Sequence, residues 1–143
     1  MNTKEYLNQV SRLEKTIEHK VTEILQYREL ATRLKSVQYG VKVRTSLEPD
    51  RIGNAIAKID DMECQLSKLV NQYLYKKSYI AAQIDTMEDE KLYHVIVSRY
   101  IEKKTFEQIA DELNYSQRQI SRLHESALAE FEKKYGAEYL KTE

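Results

Sequence analysis

The tightest constraint in this chain is a pair of helix-start signals eleven residues apart. Thr105 is followed three residues on by Gln108, and Ser116 by Gln119. In each pair the hydroxyl accepts from the backbone three residues ahead while the Gln side chain reaches back, a capping box. After the first box, Ile109, Ala110 and Leu113 share one helical face, and Asn114-Tyr115 interrupts the run. Asn tolerates the left-handed backbone that a tight turn requires. After the second box, Ile120, Leu123 and Ala127 supply another inner face. Ala110 is small at the place where two helices joined by a short turn approach each other. The stretch Thr105–Phe131 therefore predicts a helix-turn-helix. Its second helix is expected from Gln117 to about Lys134, with Tyr135-Gly136 as its stop and frayed residues beyond.

The rest of the chain has to be compatible with that element. One Pro and three Gly in 143 residues leave few interruptions, so an all-α fold is expected. Residues 3–38 read as one helix with a heptad seam: Val10, Ile17, Ile24 and Ala31 at a, and Tyr6, Leu13, Lys20, Tyr27 and Leu34 at d. Tyr39-Gly40 ends it, and Gly40–Pro49 forms a connector, either a loop or a short strand. Residues 50–86 read as a second helix with Asp50 as N-cap. Its inner lines are Ile52, Ile59, Leu66, Tyr73, Ile80 and Met87, and Ile56, Glu63, Val70, Lys77 and Ile84. Two striped helices of similar length joined by about ten residues predict a long, coiled-coil-like antiparallel helical hairpin. Residues 88–102 form a third helix, with Glu88, Asp89 and Glu90 in its first turn and Leu92, Val95, Ile96 and Tyr100 inward. The expected division is a hairpin over 1–87 and a helix-turn-helix domain over 88–143.

Charge and composition narrow the function classes. The 23 basic and 23 acidic side chains balance. Residues 1–87 carry 14 basic and 11 acidic groups, net +3, and residues 88–143 carry 9 and 12, net −3. Nucleic-acid binding is driven by positive charge, so this balance argues against it for the domain as a whole. Locally the sign reverses. From Asn114 to His124 the only charges are Arg118 and Arg122, and Lys103-Lys104 precede the first helix of the motif. The single Cys64 cannot form an internal disulfide, and with no signal-like start the expected location is the cytoplasm. No run approaches a membrane span. His19, His94 and His124 stand alone, without ligand spacing, so no metal or cofactor is expected. No nucleophile–base set or phosphate-binding Gly loop is present, so an enzyme is not expected.

The block from Glu88 to Tyr135 resembles region 4 of bacterial sigma factors and related phage regulators. The resemblance rests on Val95, Ile96, Arg99-Tyr100-Ile101, Thr105-Phe106-Glu107-Gln108-Ile109-Ala110, Leu113, Ser116, Ile120, Ser121-Arg122 and Ala127-Leu128. A long helical N-terminal half before such a block is similar in layout to small phage late-gene regulators of the ArpU and RinA type. The resemblance implies a sequence-specific activator of phage packaging or lysis genes, acting with host RNA polymerase. Asn114 departs from the Gly often found at that turn. The segment with which a complete sigma factor grips the −10 promoter element has no counterpart.

With Ile120, Leu123 and Ala127 inward, Gln117, Arg118, Ser121 and Arg122 point outward as candidate base contacts. Arg can donate twice to guanine and Gln can pair with adenine. Lys104, Thr105, Tyr115 and Gln119 are candidate phosphate contacts near helix N-termini. The expected partner is double-stranded DNA, with RNA polymerase as a second. The heptad seam leaves two readings open, an intramolecular hairpin and a homodimer through the N-terminal helices, with Lys20, Glu63 and Lys77 setting register. Tyr6, Tyr27, Tyr73 and Tyr100 fall on inner faces, whereas Tyr39, Tyr75, Tyr79 and Tyr93 suggest a partner surface. Two alternatives stand beside the activator: a small-terminase-like packaging subunit, and a polymerase-binding protein that reads no bases.

Overall fold

The computed structural model describes residues 1–40 and 48–140, with side chains described over 1–35 and 50–140. Along the chain run α1 (Thr3–Gly40), α2 (Glu48–Ile84), α3 (Glu90–Ile96), a π-helical turn (Val97–Ile101), α4 (Phe106–Leu113) and α5 (Gln117–Tyr139). No strand occurs among the described residues, so the all-α expectation holds. The heart of the expected connector, 41–47, lies outside the described residues, as does the side chain of Tyr39. Because α2 starts at Glu48, Asp50 sits inside the first turn and is not the N-cap. Pro49 is tolerated there because first-turn amides have no intrahelical partner.

The chain divides into two compact units, Met1–Leu13 with Tyr73–Glu143, and Glu14–Gln72. In the second unit α1 and α2 run antiparallel. Ile24 and Leu25 border a groove with Leu66, Ala31 borders another with Ile59, and Arg28 forms an ion pair with Glu63. The seam of α1 faces inward as read, with Ile24 and Ala31 buried. On α2 one inner line is corrected. Ala55 and Met62 are buried, while Ile56, expected inside, is 43% exposed. The reason is heptad arithmetic: with Ile52 at a, the d position follows three residues later, and a step of four turns the side chain roughly 100° further round the helix. Of the polar seam residues, Lys20 lies 3.7 Å from Glu23 on its own helix, and Glu63 pairs with Arg28.

The other unit has a core drawn from four helices. Tyr6, Leu7 and Val10 of α1 meet Ile80 and Ile84 of α2, Leu92 and Ile96 of α3, and Ala127, Phe131 and Tyr139 of α5. Phe131, Leu7, Ile80, Ile84 and Ile96 are fully enclosed, and burial of each side chain contributes about 1.5–3 kcal/mol. Polar groups in this core are satisfied. The Tyr6 hydroxyl donates to Gln83 Oε1 at 2.6 Å, Gln83 Nε2 donates to Glu138 at 3.0 Å, and the Thr3 and Tyr139 hydroxyls share a hydrogen bond of 2.8 Å. Lys77, the third polar seam residue, donates to the Tyr73 hydroxyl one turn away at 3.3 Å. Lys76, on the neighbouring line, donates to Gln9 Oε1 of α1 at 3.1 Å. The end of α2 lies between α1 and α5, which is why Gln83 and Ile84 are both buried.

Two further helix boundaries differ from expectation. Asp89 is the N-cap of α3, not a first-turn residue, and its carboxylate accepts from the amides of Lys91 and Leu92 at 2.9 and 3.2 Å. Helix α5 does not stop at Tyr135-Gly136 but continues to Tyr139. A helical Gly costs about 1 kcal/mol relative to Ala. Here Tyr139 stacks on Tyr6 with ring centres 4.2 Å apart, and that packing holds the last turn.

Candidate nucleic-acid interface

Both capping boxes form as the spacing predicts. Thr105 Oγ1 accepts from the Gln108 amide at 3.2 Å, and the Thr105 amide donates to Gln108 Oε1 at 2.9 Å. Ser116 and Gln119 repeat the pattern at 3.2 and 2.9 Å. Asn114 takes the left-handed conformation, φ 58° and ψ 39°, and the Tyr115 amide returns to the Ala110 carbonyl at 3.0 Å. Val95, Ile109, Ala110 and Ile120 form a small buried core beneath the turn, flanked by Phe106, Leu113, Tyr115 and Leu123. Helix α3 thus serves two cores: Leu92 and Ile96, with Tyr100 of the following π turn, belong to the four-helix core, and Val95 belongs to the motif.

The approach to the motif is a feature that periodicity could not reveal. The expected helix over 88–102 turns π-helical at Val97, where the Glu102 amide bonds back to the Val97 carbonyl at 3.0 Å. The wider turn buries Ser98 and Tyr100, and Lys103 follows at φ 59° to turn the chain toward the Thr105 cap. Arg99 fastens this corner. Its guanidinium lies 4.7 Å over the Phe106 ring and donates to the Lys104 carbonyl at 3.1 Å.

Of the candidate base contacts, Gln117, Arg118 and Arg122 are exposed and Ser121 is half-buried, all on the first turns of α5. Among the described residues, neither Arg118 nor Arg122 forms an ion pair, so both charges face solvent. The candidate phosphate contacts are less alike. Thr105 Oγ1 and Gln119 Oε1 are engaged in their caps, which leaves Gln119 Nε2 to donate outward. Lys104 is held between Glu102 and Glu112 at 2.7 Å each. These hydrogen bonds raise the Lys104 pKa, and the bond from Lys104 lowers that of Glu102, so the ammonium stays protonated with its charge offset. Tyr115 is half-buried under the Lys91 ammonium, 5.9 Å from the ring centre.

Lys91 is a residue the sequence reading missed. Far upstream of the motif, it joins Tyr115, Gln119, Arg122, Leu123 and Ser126 around a cleft of about 290 Å³. Two cations, an amide and two hydroxyl-bearing side chains thus converge beside the exposed face of α5. Only the packing of α3 against α5 brings them together.

Behind the exposed face, His124 is buried and its Nε2 lies 2.7 Å from the Tyr100 hydroxyl, with the Phe106 ring edge-on at 5.0 Å between centres. Burial is the main reason the imidazole pKa falls to about 4, with Lys4 and Arg99 adding to the effect. Burial likewise pushes the Tyr100 hydroxyl up to about 12. The pair is therefore neutral near pH 7 and shares one hydrogen bond.

A supporting helix, a short capped helix, an αL turn and a longer helix offering an exposed basic N-terminal face define a helix-turn-helix of the tri-helical kind. Residues 89–130, under a third of the chain, match the family described as Sigma-70, region 4. This covers α3, the π turn, α4 and the N-terminal part of α5, to Glu130. Comparison with curated proteins and with solved structures gives no match.

Proposed function

We propose that this chain is a sequence-specific DNA-binding regulator of transcription, of the phage late-gene activator type, acting with host RNA polymerase. The observation that carries this reading is the exposed, unpaired pair Arg118 and Arg122 on the first turns of a doubly capped helix-turn-helix similar to sigma region 4. Sigma region 4 domains bind promoter DNA and RNA polymerase, and both partners are proposed for this chain. In this reading α5 enters the major groove by its N-terminus, with Gln117, Arg118, Ser121 and Arg122 toward base edges. Gln119, Tyr115 and the amides at the Thr105 cap approach phosphates, and Lys91 reinforces them from α3. Lys104 contributes less than its charge suggests, because two carboxylates already hold it.

One observation favours a second reading. The net charge of −3 over residues 88–143 suits a domain that binds polymerase without reading bases. Selection of bound duplexes from a random pool separates the two, using wild type and Arg118→Ala/Arg122→Ala at two salt concentrations. Enrichment of one motif by the wild type, lost in the double variant and weakened by salt, supports base reading. No enrichment, or enrichment indifferent to the double substitution, overturns it in favour of the polymerase reading.

A further inference from the structure

The seam of α1 faces inward within its own hairpin, yet the unit Glu14–Gln72 is still only two helices thick and carries a second apolar face. On α1 this face is the stripe Glu14, Glu18, Val21, Leu25, Arg28 and Lys35, spaced by threes, fours and sevens so that the residues lie in line. Val21 is 39% and Leu25 61% exposed, and Ile56 of α2 is exposed further along the stripe, beside Arg28 and Lys35. Val21, Ile24, Leu25, Arg28, Glu63 and Leu66 line a groove of about 280 Å³ at its centre.

The stripe is polar at both ends and apolar in the middle, and its two ends have opposite signs. Reversed about the midpoint between Ile24 and Leu25, Glu14 comes level with Lys35, and Val21 with the stem of Arg28. Helix α2 obeys the same operation. Leu66 is the α2 residue beside Leu25 in the groove. Reversal about Leu66 sets Asp60, Asp61 and Glu63 opposite Gln72, Asn71 and Leu69, so no carboxylate of α2 meets another. A surface that is complementary to itself under a two-fold rotation is the requirement for an isologous contact.

We propose that the unit Glu14–Gln72 pairs with a second copy of the chain across this face, antiparallel, with Leu25 and Leu66 at the two-fold axis. The groove then receives Leu25 of the other copy, and each Glu14 meets a Lys35. A stripe about 32 Å long on a layer two helices wide covers roughly 600 Å² per copy, about 1,200 Å² in total, enough for a specific dimer. This inference does not depend on the DNA reading, because it concerns other residues and is tested without DNA.

The test measures the mass of the full chain by light scattering over a dilution series, for wild type and Leu25→Glu, with circular dichroism as the check on helix content. The expected result is a dimer for wild type and a monomer of unchanged helicity for Leu25→Glu. In parallel, Leu25→Cys is made in a Cys64→Ser background, which removes the exposed native thiol. Mild oxidation is expected to convert it to a covalent dimer, while Gln26→Cys in the same background stays monomeric on a denaturing gel. A monomeric wild type overturns the proposal, as does a dimer that survives Leu25→Glu and fails to cross-link at position 25.

Discussion

Protonation of His124 is expected to act as an acid-sensitive weak point beneath the helix-turn-helix. The folded imidazole has a pKa near 4, against about 6.5 in an unfolded chain, because burial disfavours its charged form. The folded pKa is the lower one, and the cation is the form that folding disfavours. Above pH 6.5 both states hold the neutral ring and the pH has no effect. As the pH falls below 6.5 the unfolded chain binds a proton that the folded chain refuses, and stability declines until the pH reaches about 4. With a shift of roughly 2.5 units, linkage puts the loss between pH 7 and pH 5 at about 2 kcal/mol. The assay is urea unfolding at pH 7 and pH 5, followed by circular dichroism, on wild type and His124→Leu. Leu removes the titrating ring and keeps an apolar side chain against Phe106. The variant is less stable at pH 7, since Tyr100 loses its hydrogen-bond partner, but wild type should lose about 2 kcal/mol more than the variant on moving to pH 5. Equal losses in the two proteins would refute the argument, because His124 would then be protonated in the fold as readily as in the unfolded chain.

Two further expectations follow from local backbone geometry. Asn114→Ala places a residue without a compensating polar side chain at φ 58° and should cost about 1 kcal/mol, while Asn114→Gly should fall within about 0.5 kcal/mol of wild type. Thermal unfolding of the two variants checks the ranking. Gly136→Ala should stabilise by about 0.5 kcal/mol, because helix propensity gains about 1 and the new methyl, 3.0 Å from Glu132 Cγ and Leu140 Cδ1, meets only the movable parts of flexible side chains. A loss of stability in denaturant unfolding would mean that the last turn of α5 has no room to adjust.

The helix-turn-helix was readable because its determinants are local. A hydroxyl and an amide three residues apart, an Asn at the turn and an apolar face every three or four residues act within a few residues of one another, so the structure at Thr105, Asn114 and Ser116 follows from neighbours in the chain. The α1 seam was readable for the same reason. The outward direction of Gln117, Arg118 and Arg122 followed from knowing which residues of α5 face in.

Other features depended on residues far apart in sequence. Gly136 looks like a helix stop, and Tyr139 overrides it only because Tyr6 and Thr3 wait more than 130 positions away. The π turn at Val97 and the burial of His124 on Tyr100 arise where α3 meets α5. The same meeting brings Lys91 to Arg122, and two carboxylates take up Lys104. By itself, then, the sequence determined which stretches are helical, where the motif turns and which side of each helix is apolar, because those depend on backbone preference and periodicity. Only the tertiary structure decided which charges are left to act and which apolar face remains open, because both depend on what every other helix has already covered.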